Sequence, residues 1–277
     1  MSQIAIVTDS TSDIPAALAD QMGIYIVPNL LVIEDQEVED GRGISRQEFY
    51  ERLPAMKTQP TTATASSGAY QLLYENLFSQ GYTSIISIHT SSLLSGIINA
   101  ANTAAQAFDG RVHVIDSQSV SLGLGFQVLT AAHNALSQPI ETVLALLAEI
   151  HQHVRVMAML DTLEYLRRSG RVSWARARLG DFLNIKPIIE VRAGKVHSLG
   201  ETRTRRKGID QLLHLLEGCG PLEKLAILHT NAASDAQMIL DKLQQQISST
   251  PLIIHVTTII GTHVGPNGLG FAALLKW

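Results

Sequence analysis

The sequence is poor in several features that would fix its class at once. Its 277 residues include a single cysteine, Cys219. One thiol makes neither an internal disulfide nor a four-cysteine zinc site, so the chain reads as a protein of a reducing cytoplasm. No run approaches ~18 apolar residues, so no membrane-spanning helix is expected. The opening Met-Ser-Gln-Ile-Ala-Ile-Val-Thr-Asp carries no basic n-region, long apolar stretch or small-residue cleavage site, so no signal peptide is expected. Aromatic residues are scarce at 5%, which leaves an aliphatic core. Charged residues are 17%, against a usual ~25%. With 45% hydrophobic residues, such a chain folds, as one large domain or two medium ones.

Net charge is small too, at −4, but the average conceals a contrast. Residues 167–207 hold twelve Lys or Arg and three Asp or Glu, a local +9 inside a remainder of −13. That excludes a uniformly basic nucleic-acid binder and leaves a basic patch for a partner. Trp174 is the one aromatic between Tyr165 and Phe182. A nucleic-acid face needs stacking aromatics or a recognition-helix pattern, so an acidic protein ranks above nucleic acid as that partner.

Known catalytic signatures are also missing. There is no Walker A sequence, Gly-x-Ser-x-Gly elbow or His-Glu-x-x-His. Gly268-Leu269-Gly270-Phe271-Ala272-Ala273 imitates a dinucleotide fingerprint, but too near the C-terminus for the helix, strand and acid that motif needs. Gly123 and Gly125 read as helix-opening glycines. His151 and His153 lack a third metal ligand at a telling spacing and read as a helix end. Cys219 reads as a turn or cap residue.

What is present is alternation. Strand-like Ile4–Val7, Tyr25–Val27, Leu30–Ile33, Ser84–His89, Val112–Ile115, Arg155–Met159 and Leu225–His229 are separated by helical patterns. The helices are expected near residues 12–22, from the Ser45–Glu48 capping box, and over 67–78, 95–108, 123–136, 140–151, 163–168, 174–182, 204–216 and 232–247. Residues 252–258 and 271–276 read as closing strands. Ala193-Gly194 between two β-branched runs predicts a hairpin. The expected fold is α/β: two α/β domains with largely parallel sheets flanked by helices, the second sheet mixed, with a break near residue 155 (domains 1–155 and 156–277).

Three segments exceed what packing needs. Pro60 to Gly68 and His89 to Gly96 are hydroxyl-rich and lead into helix N-termini. One hydroxyl per loop serves as a cap; the others, with the helix ends, suit a carboxylate or a phosphate. Ile260 to Gly268 is a glycine-rich loop around His263, open both to close ligand approach and to a plain surface turn.

Seven segments in order resemble the DegV family of bacterial proteins. They are Val7 to Asp13, the two hydroxyl loops, Val114 to Ser117 leading to Gly123-Leu124-Gly125, Leu163 to Arg171, Leu183 to Ile188, and Gly261 to Pro266. The resemblance covers essentially the whole chain. It implies a fatty-acid-binding protein of two α/β domains, with the acyl chain in a buried tunnel and no cofactor. It further implies a partner, the ATP-binding subunit of a fatty acid kinase, which phosphorylates the carboxylate to an acyl phosphate. By motif position Thr62 and Ser95 would hold the carboxylate, with Ser92 as a nearby alternate, and Arg171 and His263 would complete the polar network. Arg203 and Arg205 would meet the kinase. The family commonly reads Thr-Ser-Gln-Pro-Ser in the first loop; this chain reads Thr62-Ala63-Thr64-Ala65-Ser66. Two other readings stand beside this one: an acyl hydrolase or transferase using Ser95 or Thr62 with His263, and a nucleic-acid binder using residues 167–207.

Overall fold

In a computed structural model the protein is described over residues 3–34, 36–177, 185–243 and 251–277. The far end of the helix expected over 174–182, the motif residues Leu183 and Asn184, and the end of the 232–247 helix lie outside the described residues. Among the described residues there are thirteen strands: β1 Ile4–Asp9, β2 Ile24–Val27, β3 Leu30–Ile33, β4 Gln36–Glu39, β5 Thr61–Ala63, β6 Ser84–His89, β7 Val112–Asp116, β8 Val154–Met159, β9 Lys186–Arg192, β10 Lys195–Thr202, β11 Leu222–His229, β12 Leu252–His255 and β13 Leu269–Leu275. They form a four-stranded sheet (β2-β1-β6-β7), a six-stranded sheet (β10-β9-β8-β13-β11-β12) and a three-stranded sheet (β4-β3-β5).

The first sheet is all parallel, as alternation with helices requires. The second is mixed. Its β11–helix–β12 unit is parallel, and every other pairing is antiparallel. The β9–β10 hairpin turns at Ala193 (φ 48°) and Gly194 (φ 77°), two left-handed residues that match the twist of the flanking strands. The small third sheet was not anticipated: residues 61–63, expected as loop, extend as β5 against β3. It packs through Leu31 and Ile33 with the Arg46–Arg52 helix and with Tyr165 and Ile259. Ser45 caps that helix by accepting from the Glu48 amide, as its capping-box spacing predicts.

The helix Leu122–Ala135 joins the two large sheets. Its residues from Leu122 to Leu129 are buried all round, the signature of a helix between layers. Ile4, Ile86, Val128, Val156, Leu228 and Leu274 belong to one continuous core around it. A Cβ on Gly125 would meet the Ser12 carbonyl oxygen at 2.7 Å, so close packing demands that glycine. Residue 155 lies inside β8, which pairs only within the mixed sheet.

A second expectation is overturned. Residues 258–264, read partly as strand and partly as glycine loop, form the helix Thr258–Val264. Its β-branched Thr-Ile-Ile run favours a strand locally. Thr257 instead caps a helix by accepting from the Ile259 amide, and Gly265 ends it at φ 79°. His263 therefore sits in a helical last turn. Likewise the first helix begins later than expected, at Ala16, because Asp13 takes a left-handed backbone (φ 56°).

Candidate functional site

The strands of the parallel sheet end at Asp9, His89 and Asp116, and the loops that follow open a cavity of about 430 Å³. The carboxyl edge of a parallel sheet is where such folds usually bind ligands. The opposite wall comes from β9 and β10, through Ile189, Val191 and Val196, and from the helices Glu164–Ser169 and Thr258–Val264. Leu94, Ile97, Val120, Leu166 and Ile260 extend this aliphatic lining.

The polar end gathers residues far apart in sequence. Thr62 Oγ1 lies 2.9 Å from His263 Nε2. Burial, and then the positive charge of Arg171, push the His263 ring down to about 3, so it is neutral at pH 7. Gly170 ends the Glu164–Ser169 helix at φ 71° and turns Arg171 into the cavity wall. There the guanidinium donates to the Ser169 carbonyl at 2.8 Å. Burial lowers its pKa, yet an arginine remains a cation at any physiological pH.

In the second hydroxyl loop most hydroxyls have structural work. Thr90 donates to the Ser119 carbonyl at 3.1 Å and Ser91 to the Gly194 carbonyl at 2.8 Å. Ser92 gives its hydroxyl to Asp116 at 2.5 Å and its amide to the same carboxylate at 3.2 Å. Ser95 lines the cavity, and among the described residues no hydrogen bond engages its hydroxyl. Of the two serines singled out from the sequence, Ser95 has a donor to offer and Ser92 has already committed its own.

Beneath the cavity floor lies a buried polar chain. Ser87 Oγ is 2.7 Å from His89 Nε2, and His89 Nδ1 is 3.0 Å from Asp9 Oδ2. These spacings mimic a serine–histidine–acid triad. All three residues are fully buried, however, none lines the cavity, and Ser87 is also bonded to Tyr74 at 2.8 Å. Burial pushes the Asp9 carboxyl up, but bonds and charge from His89 and bonds from Thr11 outweigh it and hold the group below its ordinary range. The chain fixes the ends of β1 and β6 and the two loops above them.

A profile described as "Uncharacterised protein, DegV family" matches residues 3–276. The chain belongs to the DegV family. Protein DegV of Bacillus subtilis strain 168 is 32% identical over 281 residues, spanning 99% of each chain. Among solved structures, a DegV family protein from Thermus thermophilus described by its fatty acid binding is 31% identical, with a TM-score of 0.89 over 99% of this chain and 100% of that one. DegV from Bacillus subtilis, described as a fatty acid binding protein, is 30% identical with a TM-score of 0.89 over the full length of both.

Thr62, Ser92, Ser95, Arg171 and His263 all line the one cavity. Arg203 and Arg205 do not. Arg203 is exposed. Arg205 turns inward: its side chain pairs with Asp235 at 2.6 Å and donates to the Asn267 carbonyl at 2.6 Å. That arginine therefore braces the Gly265–Gly268 turn below His263, and of the two only Arg203 is left with its side chain in solvent. Sequence reasoning missed Thr64, which also lines the cavity. Its two-residue offset from Thr62 was the available signal, since alternate residues of an extended segment share a face. The aliphatic wall had no local signal at all. His153 stacks on Trp277 at 4.8 Å between ring centres, and Cys219 Sγ donates to the Leu215 carbonyl at 3.3 Å, both structural contacts.

Proposed function

We propose that this DegV protein binds a long-chain fatty acid in the cavity, with the carboxylate at Thr62, Ser95, Arg171 and His263, and presents it to an ATP-dependent fatty acid kinase that forms the acyl phosphate. The observation that carries the reading is one cavity with two characters, an aliphatic wall and a cationic, hydroxyl-bearing end. At about 430 Å³ the cavity falls within the usual size of a small-ligand pocket. Burial at ~0.8 kcal/mol per CH₂ contributes on the order of 10 kcal/mol gross. A carboxylate then needs charge-assisted bonds to offset its desolvation, which Arg171 and the Ser95 hydroxyl supply. Two DegV relatives at 30–31% identity are described as fatty acid binding, and both match this chain over essentially its whole length. The bound fatty acid is the ligand, and the reading needs no cofactor.

The hydrolase reading has less support. Thr62 and His263 make a nucleophile–base contact, but among the described residues no hydrogen bond orients the other ring nitrogen of His263. Ser95 has no base bonded to it. A kinase, by contrast, needs nothing from this chain except a held and accessible carboxylate. No helix among the described residues is long and apolar enough to cross a membrane, and a cytoplasmic carrier fits that.

Lipid extraction of the purified protein with mass spectrometry tests the ligand. A fatty acid should be recovered at close to one per chain. A protein that carries none and also fails to take up palmitate or oleate refutes the reading.

A further inference from the structure

Among the described residues, seven that bear a hydroxyl line the cavity: Thr11, Thr62, Thr64, Thr90, Ser92, Ser95 and Ser169. Five are committed within the protein. Thr11 bonds to Asp9, Thr62 to His263, Thr90 to the Ser119 carbonyl, Ser92 to Asp116 and Ser169 to the Leu166 carbonyl. Among the described residues, Thr64 and Ser95 alone have no hydrogen bond at the hydroxyl. They come from different walls, Thr64 just past β5 and Ser95 in the loop after β6. Both are half-buried, as expected for groups that face a cavity.

We infer that Thr64 is a direct ligand of the bound anion, so that the head group is gripped from two sides by Thr64 and Ser95. A carboxylate has two oxygens and about four acceptor sites, so one donor from each wall is a natural match. Thr62 then has a double task. With Nε2 of His263 protonated, the ring donates to Thr62, and the Thr62 hydroxyl proton is free for the carboxylate. With Nε2 bare, Thr62 must donate to the ring and has no proton left for the ligand. Thr64 bonds the anion in either tautomer. It stands just past β5, two residues from Thr62, and like Thr62 it lines the cavity. The inference rests on the fatty-acid reading and assigns it a specificity residue.

The test compares two probes of equal chain length, palmitate and hexadecanol, on wild type, Thr64→Val and Thr64→Ser. Thr64→Val keeps the shape and removes the hydroxyl. A lost bond to a charged group should weaken palmitate about tenfold. Hexadecanol, which lacks the carboxylate, should change less than about twofold, and Thr64→Ser should restore palmitate binding. Equal palmitate affinity in wild type and Thr64→Val overturns the inference. So does an equal loss for both probes, which would mark a packing role. Failure of wild type to bind palmitate would instead overturn the fatty-acid reading itself.

Discussion

Acid should destabilise this protein in part through one neutral histidine. His263 titrates near 6.5 in an unfolded chain and is pushed down to about 3 in the folded one, by burial and by the charge of Arg171. Below about pH 6.5 the unfolded chain takes up a proton that the native chain refuses. Stability therefore falls as pH falls from about 6.5, and the loss is complete near pH 3. At ~1.4 kcal/mol per pH unit, the step from pH 6.5 to 4.5 is worth roughly 2 kcal/mol from this side chain, after allowing for partial solvation of the ring by the cavity. His255, held at about 4, and His229, also lowered, act with the same sign, so wild type alone does not isolate the effect. The comparison with His263→Asn does, because both other rings remain and Asn still offers Thr62 a polar partner. Urea unfolding followed at pH 7 and pH 4.5 should show wild type losing roughly 2 kcal/mol more than the variant. A carboxylate bound beside the ring favours its protonated form, so palmitate-loaded wild type should lose less than the unloaded protein. Parallel pH dependence in wild type and variant would refute the reasoning.

Ser95→Ala should weaken palmitate about tenfold with little change in melting temperature, because its hydroxyl holds nothing in the protein. Ser92→Ala should do the reverse, costing about 0.5–1 kcal/mol of stability through the lost bond to Asp116, which keeps its two amide donors; isothermal titration and thermal melts separate the two, and a larger binding loss at Ser92 would reverse their roles. Arg205→Ala should cost about 2 kcal/mol by stripping Asp235 and the Asn267 carbonyl of their donor. Arg203→Glu should leave both stability and palmitate binding intact while slowing acyl-phosphate formation by a fatty acid kinase; unchanged turnover there would count against a partner surface at this position.

Local chemistry made much of the fold legible. The capping box at Ser45, the β-branched run Ser84–His89 and the Ala193-Gly194 turn each carry their signal within a few residues, and each forms where expected. The misreadings share one cause. Thr258 to Ile260 favour a strand and the glycines after them a loop, yet residues 258–264 become a helix because Thr257 caps it and Ile259 is buried against Phe49, Tyr50 and Tyr165. Short β4 and β5 have too few residues to show a period, and only pairing with β3 defines them.

The site divides in the same way. The resemblance to the DegV family nominated Thr62, Ser95, Arg171 and His263, and the charge count set a basic segment apart within an acidic chain. They could not say which of seven hydroxyls remain free to meet a ligand, nor that Arg205 turns inward while Arg203 faces solvent. A hydroxyl's availability depends on what its neighbours accept, and those neighbours lie across the fold, as Thr62 and His263 do at a separation of 201 residues. The sequence alone determined the chemistry on offer, a few hydroxyls, one arginine, one histidine and an aliphatic interior. The tertiary structure decided which of those groups the protein uses to hold itself together and which it leaves exposed to a cavity.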